Sequence, residues 1–289
     1  MRKLQVLGIC QMVGFFLVAE VGAQEAEQRT QAEAAYRRAL AHRRAGELEE
    51  AARAAEEAIR LWPRHAGAYM TLGAVRRMQN RLEEALGAFE KAVELEPQSR
   101  EAVAMVGAVL ARMGRCEEAL QPLRRAIEIE RRDLQSWVNL GACLRRLRRL
   151  DEAIRVYEQA LLVFPDEVEL TNNYAVALRQ AGRLEEAIAA LEQAIERRPE
   201  VADLHLNLGI AYRTAGRYAE AARAYEAWRA RSDASSDPAP LFDLAYCYER
   251  LGRKEEAIKL YRLYQSLVAD RDPRGGERAA ERLKGLGVR

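Results

Sequence analysis

The chain has 289 residues, of which 49% are hydrophobic, 31% charged and 7% aromatic, with eight prolines. That balance excludes a disordered chain and suits ordered, helix-rich segments. Its 46 basic and 44 acidic side chains leave a net charge of +2, which excludes a global field steering the chain to nucleic acid or an acidic membrane.

Residues 1–23 differ in composition from everything after them. Arg2 and Lys3 precede the apolar run LQVLGICQMVGFFLV, and small residues at Val21 and Ala23 precede Gln24. A basic start, an apolar stretch short for a membrane span and small residues at its end predict a secretory signal cleaved after Ala23. The mature chain is then expected to be periplasmic or secreted, with no membrane insertion. An uncleaved anchor is the alternative, weakened by Gln5 and Gln11 within the run. A lipoprotein reading of LGIC is weaker, because Ile9 is bulky and the run continues past Cys10. Removing the signal leaves Cys116, Cys143 and Cys247. An odd number makes no complete disulfide framework, so the three read as small buried hydrophobes, with a Cys116 to Cys143 bridge geometrically conceivable.

From Asn80 the chain reads NRLEEALGAFEKAVELE, and at 182–198 it reads GRLEEAIAALEQAIERR. Extending this self-similarity gives a 34-residue unit. The spans are 32–65, 66–99, 100–133, 134–167, 168–201, 202–235 and, after two extra residues, 238–271. The twentieth position is alanine throughout: Ala51, Ala85, Ala119, Ala153, Ala187, Ala221 and Ala257. Gly46, Asn80, Gly114, Arg148, Gly182, Gly216 and Gly252 fall at one turn position, where residues tolerating positive φ are wanted and only Arg148 fits poorly. Pro63, Pro97, Pro165 and Pro199 close their units, since proline cannot continue a helix.

On both sides of that turn, apolar residues recur at helical spacing. In the second unit Tyr69, Leu72, Gly73 and Val75 mark a helix A, and Leu82, Ala85, Leu86, Phe89, Ala92 and Val93 mark a helix B. Each unit is therefore predicted to be a helical hairpin. Small residues at its eighth, twentieth and twenty-seventh positions, such as Gly141, Ala153 and Ala160, let the helices approach closely. Three departures stand out. Pro122 sits early in a helix B, where it costs the bond to Glu118 and should bend the first turn. Trp228 and Tyr264 occupy the small twenty-seventh position, where bulk forces helices apart or turns the residue outward, so a loosened joint is expected around RSDASSDPAP at 231–240. Residues 272–289 read as a capping helix.

The segments WVNLGACLRRLRRLDEAIRVYEQALLVFP (137–165) and HLNLGIAYRTAGRYAEAARAY (205–225) resemble the tetratricopeptide repeat. The resemblance spans residues 32–271. It implies an all-α, right-handed superhelical solenoid over residues 24–271, with a concave surface lined by the A helices. It also implies that positions two, five, six, nine, twelve and thirteen of each unit face that surface.

Two ladders fall on those positions. Asn139, Asn173 and Asn207 stand at position six of three consecutive units. Each offers a donor and an acceptor for a peptide backbone, and the peptide-binding repeats of O-GlcNAc transferases are similar in carrying asparagine there. The plainer reading is that asparagine is common at this position in the family. Arg43, Arg77, Arg145, Arg179 and Arg213 stand at position twelve, interrupted by Ala111 and ended by Glu249. Spaced guanidinium groups suit the carboxylates of an acidic segment. Equally, with Glu33, Glu101, Glu169 and Asp203 at position two, they complement the helix dipoles. Position five carries Tyr36, Met70, Ala104, Val138, Asn172, Leu206 and Phe242, so the residues of the carboxylate-clamp subfamily are missing.

His42, His65 and His205 are far apart in sequence, and no phosphate-cradling glycine loop or metal-ligand spacing occurs. The expected function is therefore non-enzymatic and cofactor-free. An exported scaffold would bind a protein or peptide segment through Asn139, Asn173, Asn207, Arg77, Arg145, Arg179 and Arg213, in envelope assembly, secretion or pilus machinery. The alternative is a structural adaptor that uses its convex face or ends and leaves the groove empty.

Overall fold

The structure, a computed structural model, describes residues 24–233, 236–269 and 271–288, together with the backbone of residues 2–23 inside the first helix. The expected signal, residues 1–23, lies outside the residues whose side chains are described. Among the described residues there are fifteen helices and no strand. Contacts gather the chain into two compact units, Met1–Asn139 and Leu140–Arg289.

The first unit holds α1 (Arg2–Ala45), α2 (Leu48–Leu61), α3 (Ala66–Met78), α4 (Leu82–Leu95), α5 (Arg100–Met113), α6 (Cys116–Ile129) and the start of α7 (Leu134–Arg146). Successive helices from α1 to α6 pack on one another, and α1 also reaches α3. The second unit holds the rest of α7 with α8 (Leu150–Val163), α9 (Val168–Gln180), α10 (Leu184–Arg197), α11 (Ala202–Thr214), α12 (Tyr218–Arg229), α13 (Ala239–Arg250), α14 (Lys254–Val268) and α15 (Pro273–Gly285). Here too each helix from α8 onward packs on the next, and α9 also touches α11. Odd-numbered helices to α13 are the A helices, even-numbered ones the B helices.

One local device makes each hairpin. Helix A ends on a residue with positive φ, and the next amide reaches back to a carbonyl five residues earlier. Arg115 N donates to Leu110 O at 2.9 Å, Arg183 N to Leu178 O at 2.9 Å and Arg217 N to Tyr212 O at 2.9 Å. This satisfies orphan carbonyls at the helix end and turns the chain at once into helix B. Glycine takes the left-handed position in five of these turns, but Asn80 (φ 60°) and Arg148 (φ 62°) hold it in the others. The sequence expectation that Arg148 fits the turn poorly is met by a strained residue rather than by a different turn.

From α4 onward, helix B then begins with an Arg-x-x-Glu pair. Arg81 bonds Glu84 at 2.6 Å, Arg149 bonds Glu152 at 2.6 Å, Arg183 bonds Glu186 at 2.7 Å and Arg253 bonds Glu256 at 3.0 Å. The carboxylate sits in the first turn, where the helix dipole favours it.

Packing follows the small positions. The twentieth-position alanines, from Ala51 to Ala257, are completely buried. Opposite the glycine of helix A lies the twenty-fourth residue of the unit, on helix B. A β-carbon on Gly73 would stand 2.7 Å from the Phe89 ring, on Gly107 2.7 Å from Leu123, on Gly141 2.3 Å from the Tyr157 ring and on Gly209 2.9 Å from Tyr225. The absent side chain is thus what lets each large residue lie flat between its helices.

The departures from the repeat pattern lie inside continuous helices. Trp228 and Tyr264 do not turn outward: both are buried, as large core residues in place of alanine. The joint between α12 and α13 keeps its helix packing, although residues 234 and 235 of the expected loose stretch lie outside the described residues. Pro122 lies inside α6, which runs from Cys116 to Ile129. It lines a cavity of about 300 Å³ with Val93, Val103, Val106 and Arg125. Cys116, Cys143 and Cys247 are all buried, as their reading as small hydrophobes expects.

Candidate functional site

The predicted binding residues lie on A helices, so helical register decides where each one is placed. In the first unit, Asn139 on α7 is half-buried and its Oδ1 accepts a bond from Gln135 Nε2 at 3.4 Å. Arg77, on α3, is exposed. Its neighbour Arg76 is instead buried, paired with Glu56 at 2.5 Å and Glu84 at 3.3 Å. One step in sequence therefore separates an exposed cation from a structural one.

In the second unit, Asn173 on α9 and Asn207 on α11 are both half-buried. Asn207 does not meet Asn173. Its carboxamide donates to Asn172 Oδ1 at 2.9 Å and to the Asp203 carbonyl at 3.1 Å. Asn172 stands at position five, so positions five and six of adjacent units share one surface and tie α9 to α11. Both donor hydrogens of Asn207 have partners within the chain, which leaves its oxygen as the acceptor.

The arginines of position twelve divide by what faces them. Arg213 Nε donates to Tyr225 Oη at 3.4 Å and lies 3.5 Å from Asp243 Oδ2, while Tyr225 Oη donates to that same oxygen at 3.3 Å. Burial raises Asp243 above the ordinary carboxylate range against the pull of Arg213, whose own charge is held by Asp243 against its partial burial. Arg213 is thus an internal strut, not a free rung. Arg179 is half-buried. Arg145 is half-buried as well, but its Nε and the Tyr157 hydroxyl are buried without a hydrogen bond. Burial pushes the Tyr157 hydroxyl up to about 12, eased in part by the Arg145 guanidinium beside it.

Sequence reasoning missed the tyrosines and the acids that meet them. Tyr157, Tyr225 and Tyr261 occupy position twenty-four, twelve residues after Arg145, Arg213 and Glu249. Tyr261 Oη donates to Glu249 Oε2 at 2.8 Å, just as Tyr225 meets Asp243. The spacing of a charged residue and a tyrosine across one turn was the available signal.

The last A helix, α13, presents aromatic residues that α15 covers. Arg278 lies over the Phe242 ring at 5.5 Å and Arg282 over Tyr246 at 5.2 Å, with Arg282 also 3.2 Å from Glu249. Among the described residues no cluster of His, Cys, Asp and Glu is arranged to hold a metal, and no helix is long and apolar enough to cross a membrane.

This geometry agrees with comparison to known families. A family model described as tetratricopeptide repeat matches residues 36–100, 175–237 and 206–275, and another of the same description matches residues 132–200. The chain belongs to the tetratricopeptide repeat family. A model described as anaphase-promoting complex, cyclosome, subunit 3 matches residues 78–160 of these repeats.

Among solved structures, a tetratricopeptide repeat protein from Parabacteroides merdae is 18% identical, with a TM-score of 0.64 over 89% of this chain and 99% of that one. YrrB, a TPR protein with an unusual peptide-binding site, is 27% identical with a TM-score of 0.52, over 57% of this chain and 86% of that one. Pseudomonas aeruginosa pilF is 17% identical with a TM-score of 0.58, over 75% of this chain and 97% of that one. No curated protein matches at a significant level.

Proposed function

We propose that this repeat protein is a non-enzymatic scaffold that holds a segment of another polypeptide on its A-helix faces. The observation that carries this reading is the polar surface shared by Asn172 and Asn207 with Asn173 beside them. These half-buried carboxamides are set on packed helices and ordered by a 2.9 Å bond. Rigidly placed carboxamides suit a peptide main chain, which presents alternating donors and acceptors whatever its side chains. The unusual peptide-binding site of YrrB supports the same use of this family's repeats. Position five adds the half-buried Leu206, so an apolar side chain of a bound segment would also find a contact.

The composition of residues 1–23 supports export, and we assign the scaffold to the periplasm or the secreted fraction, in envelope assembly, secretion or pilus machinery. Replacing Asn139, Asn173 and Asn207 together with alanine tests the reading. Capture of a polypeptide from an envelope extract should fall at least about tenfold, with helicity and Tm kept, because each lost carboxamide removes bonds of about 1 kcal/mol net. Undiminished capture by the triple variant would move binding to the convex face or the ends.

A further inference from the structure

We propose that Arg145 is the receptor for a carboxylate of the bound segment; this rests on the peptide-binding reading above and names the chemistry it selects. The second unit contains its own template. In the 34-residue register, Arg213, Tyr225 and Asp243 stand at positions twelve and twenty-four of one repeat and six of the next. There the arginine and the tyrosine converge on one carboxylate oxygen, at 3.5 and 3.3 Å. Arg145, Tyr157 and Asn173 stand at the same three positions two repeats earlier. The cation and the tyrosine are retained, but the acid is replaced by its neutral isostere.

The consequence is visible in the polar accounting. Tyr225 and Tyr261 each bond a carboxylate that the chain supplies, Asp243 and Glu249. Tyr157 is completely buried, and neither its hydroxyl nor the Arg145 Nε beside it has a hydrogen bond. Buried polar atoms left unpaired are costly, so this repeat lacks the acid that completes its template. Arg145 forms no ion pair among the described residues, and its guanidinium is reachable because the side chain is only half-buried. A carboxylate from the bound segment would lie along the outer edge of the guanidinium, the arrangement that planar Arg–carboxylate pairs favour. Glu169, exposed one turn before Asn173 on α9, is the acid that faces Tyr157 from that helix and contributes a weak opposing charge. The template repeat has Ala239 there.

The difference between the two repeats supplies the test. A fluorescent, amidated peptide alternating Glu and Ala is titrated by anisotropy at low salt against the full chain, beside the same peptide with Gln for Glu. A third peptide carries no Glu but a free C-terminal carboxylate. The Glu peptide should bind at least about tenfold tighter than the Gln peptide. Asn173→Asp, which neutralises Arg145 as Asp243 neutralises Arg213, should remove that preference. Asp243→Asn should tighten the Glu peptide by freeing Arg213, and Glu169→Gln should tighten it by removing a like charge. Preferential binding of the third peptide would assign the site to a chain terminus instead of a side chain, with the same loss in Asn173→Asp. Equal affinity for the Glu and Gln peptides, or an Asn173→Asp variant that keeps the preference, overturns the proposal. If polypeptide capture is still lost in the asparagine triple variant under those outcomes, the peptide-binding reading stands without the carboxylate receptor.

Discussion

At Arg148 a residue with a β-carbon adopts φ of 62°, a conformation that the other turns assign mostly to glycine. The left-handed region costs such a residue about 1–2 kcal/mol, and the hairpin geometry imposes it because the Arg149 amide must still reach the Leu144 carbonyl at 2.9 Å. Arg148→Gly should therefore stabilise the chain by about 1 kcal/mol and raise Tm by about 2 to 4 °C in thermal unfolding. The opposite change is expected at Gly141. An added methyl would stand 2.3 Å from the Tyr157 ring, so Gly141→Ala should lower stability by about 1–3 kcal/mol, the usual cost of overpacking, read in urea titration. The glycines of helix A and the αL turns were legible in the sequence because their chemistry repeats at a fixed interval. The carboxylate that meets Arg213 was not, because Asp243 lies in the next repeat, past a two-residue register slip that hides the alignment.

At the scale of the element, each B helix after α2 opens with an arginine and a glutamate three residues apart. The bonded arginine holds the glutamate carboxyls of Glu118, Glu186 and Glu256 below their ordinary value of 4.5. A depressed folded-state pKa contributes stability that is present above the unfolded value and lost as pH falls through the folded one. Acidification from about pH 6 to about pH 3 should thus lower Tm progressively, with the decline beginning near pH 4.5. These pairs are solvent-exposed, so each contributes little and high salt should flatten the decline. A pH-independent Tm over that range would mean the helix entries are held by turn geometry alone. The helices themselves were readable from apolar spacing, and their starts at Ala66, Arg100, Leu134, Val168 and Ala202 coincide with the sequence register. The burial of Trp228 and Tyr264 was not legible, because periodicity reports that a small residue is missing but not which way the large one points.

For the whole molecule, function depends on which side chains the repeats leave uncommitted. Both units are made by one hairpin device, so the helices look alike in sequence, and only the contacts distinguish a structural arginine such as Arg76 or Arg213 from an available one such as Arg77 or Arg145. Composition could exclude broad classes of partner, and the repeat register could place the asparagines on A helices. It could not show that Asn207 spends its donors on Asn172 and Asp203, since that bond joins residues 35 positions apart.

The central claim, that the A-helix faces hold another polypeptide, is tested most directly by site-specific photo-crosslinking in an envelope extract. A photoreactive amino acid would replace Val176 on α9 or Ile210 on α11, both half-buried at position nine, or Gln193, exposed on α10. The account predicts a discrete crosslinked polypeptide from Val176 and Ile210 that is absent from Gln193. Crosslinks from Gln193 alone would contradict it.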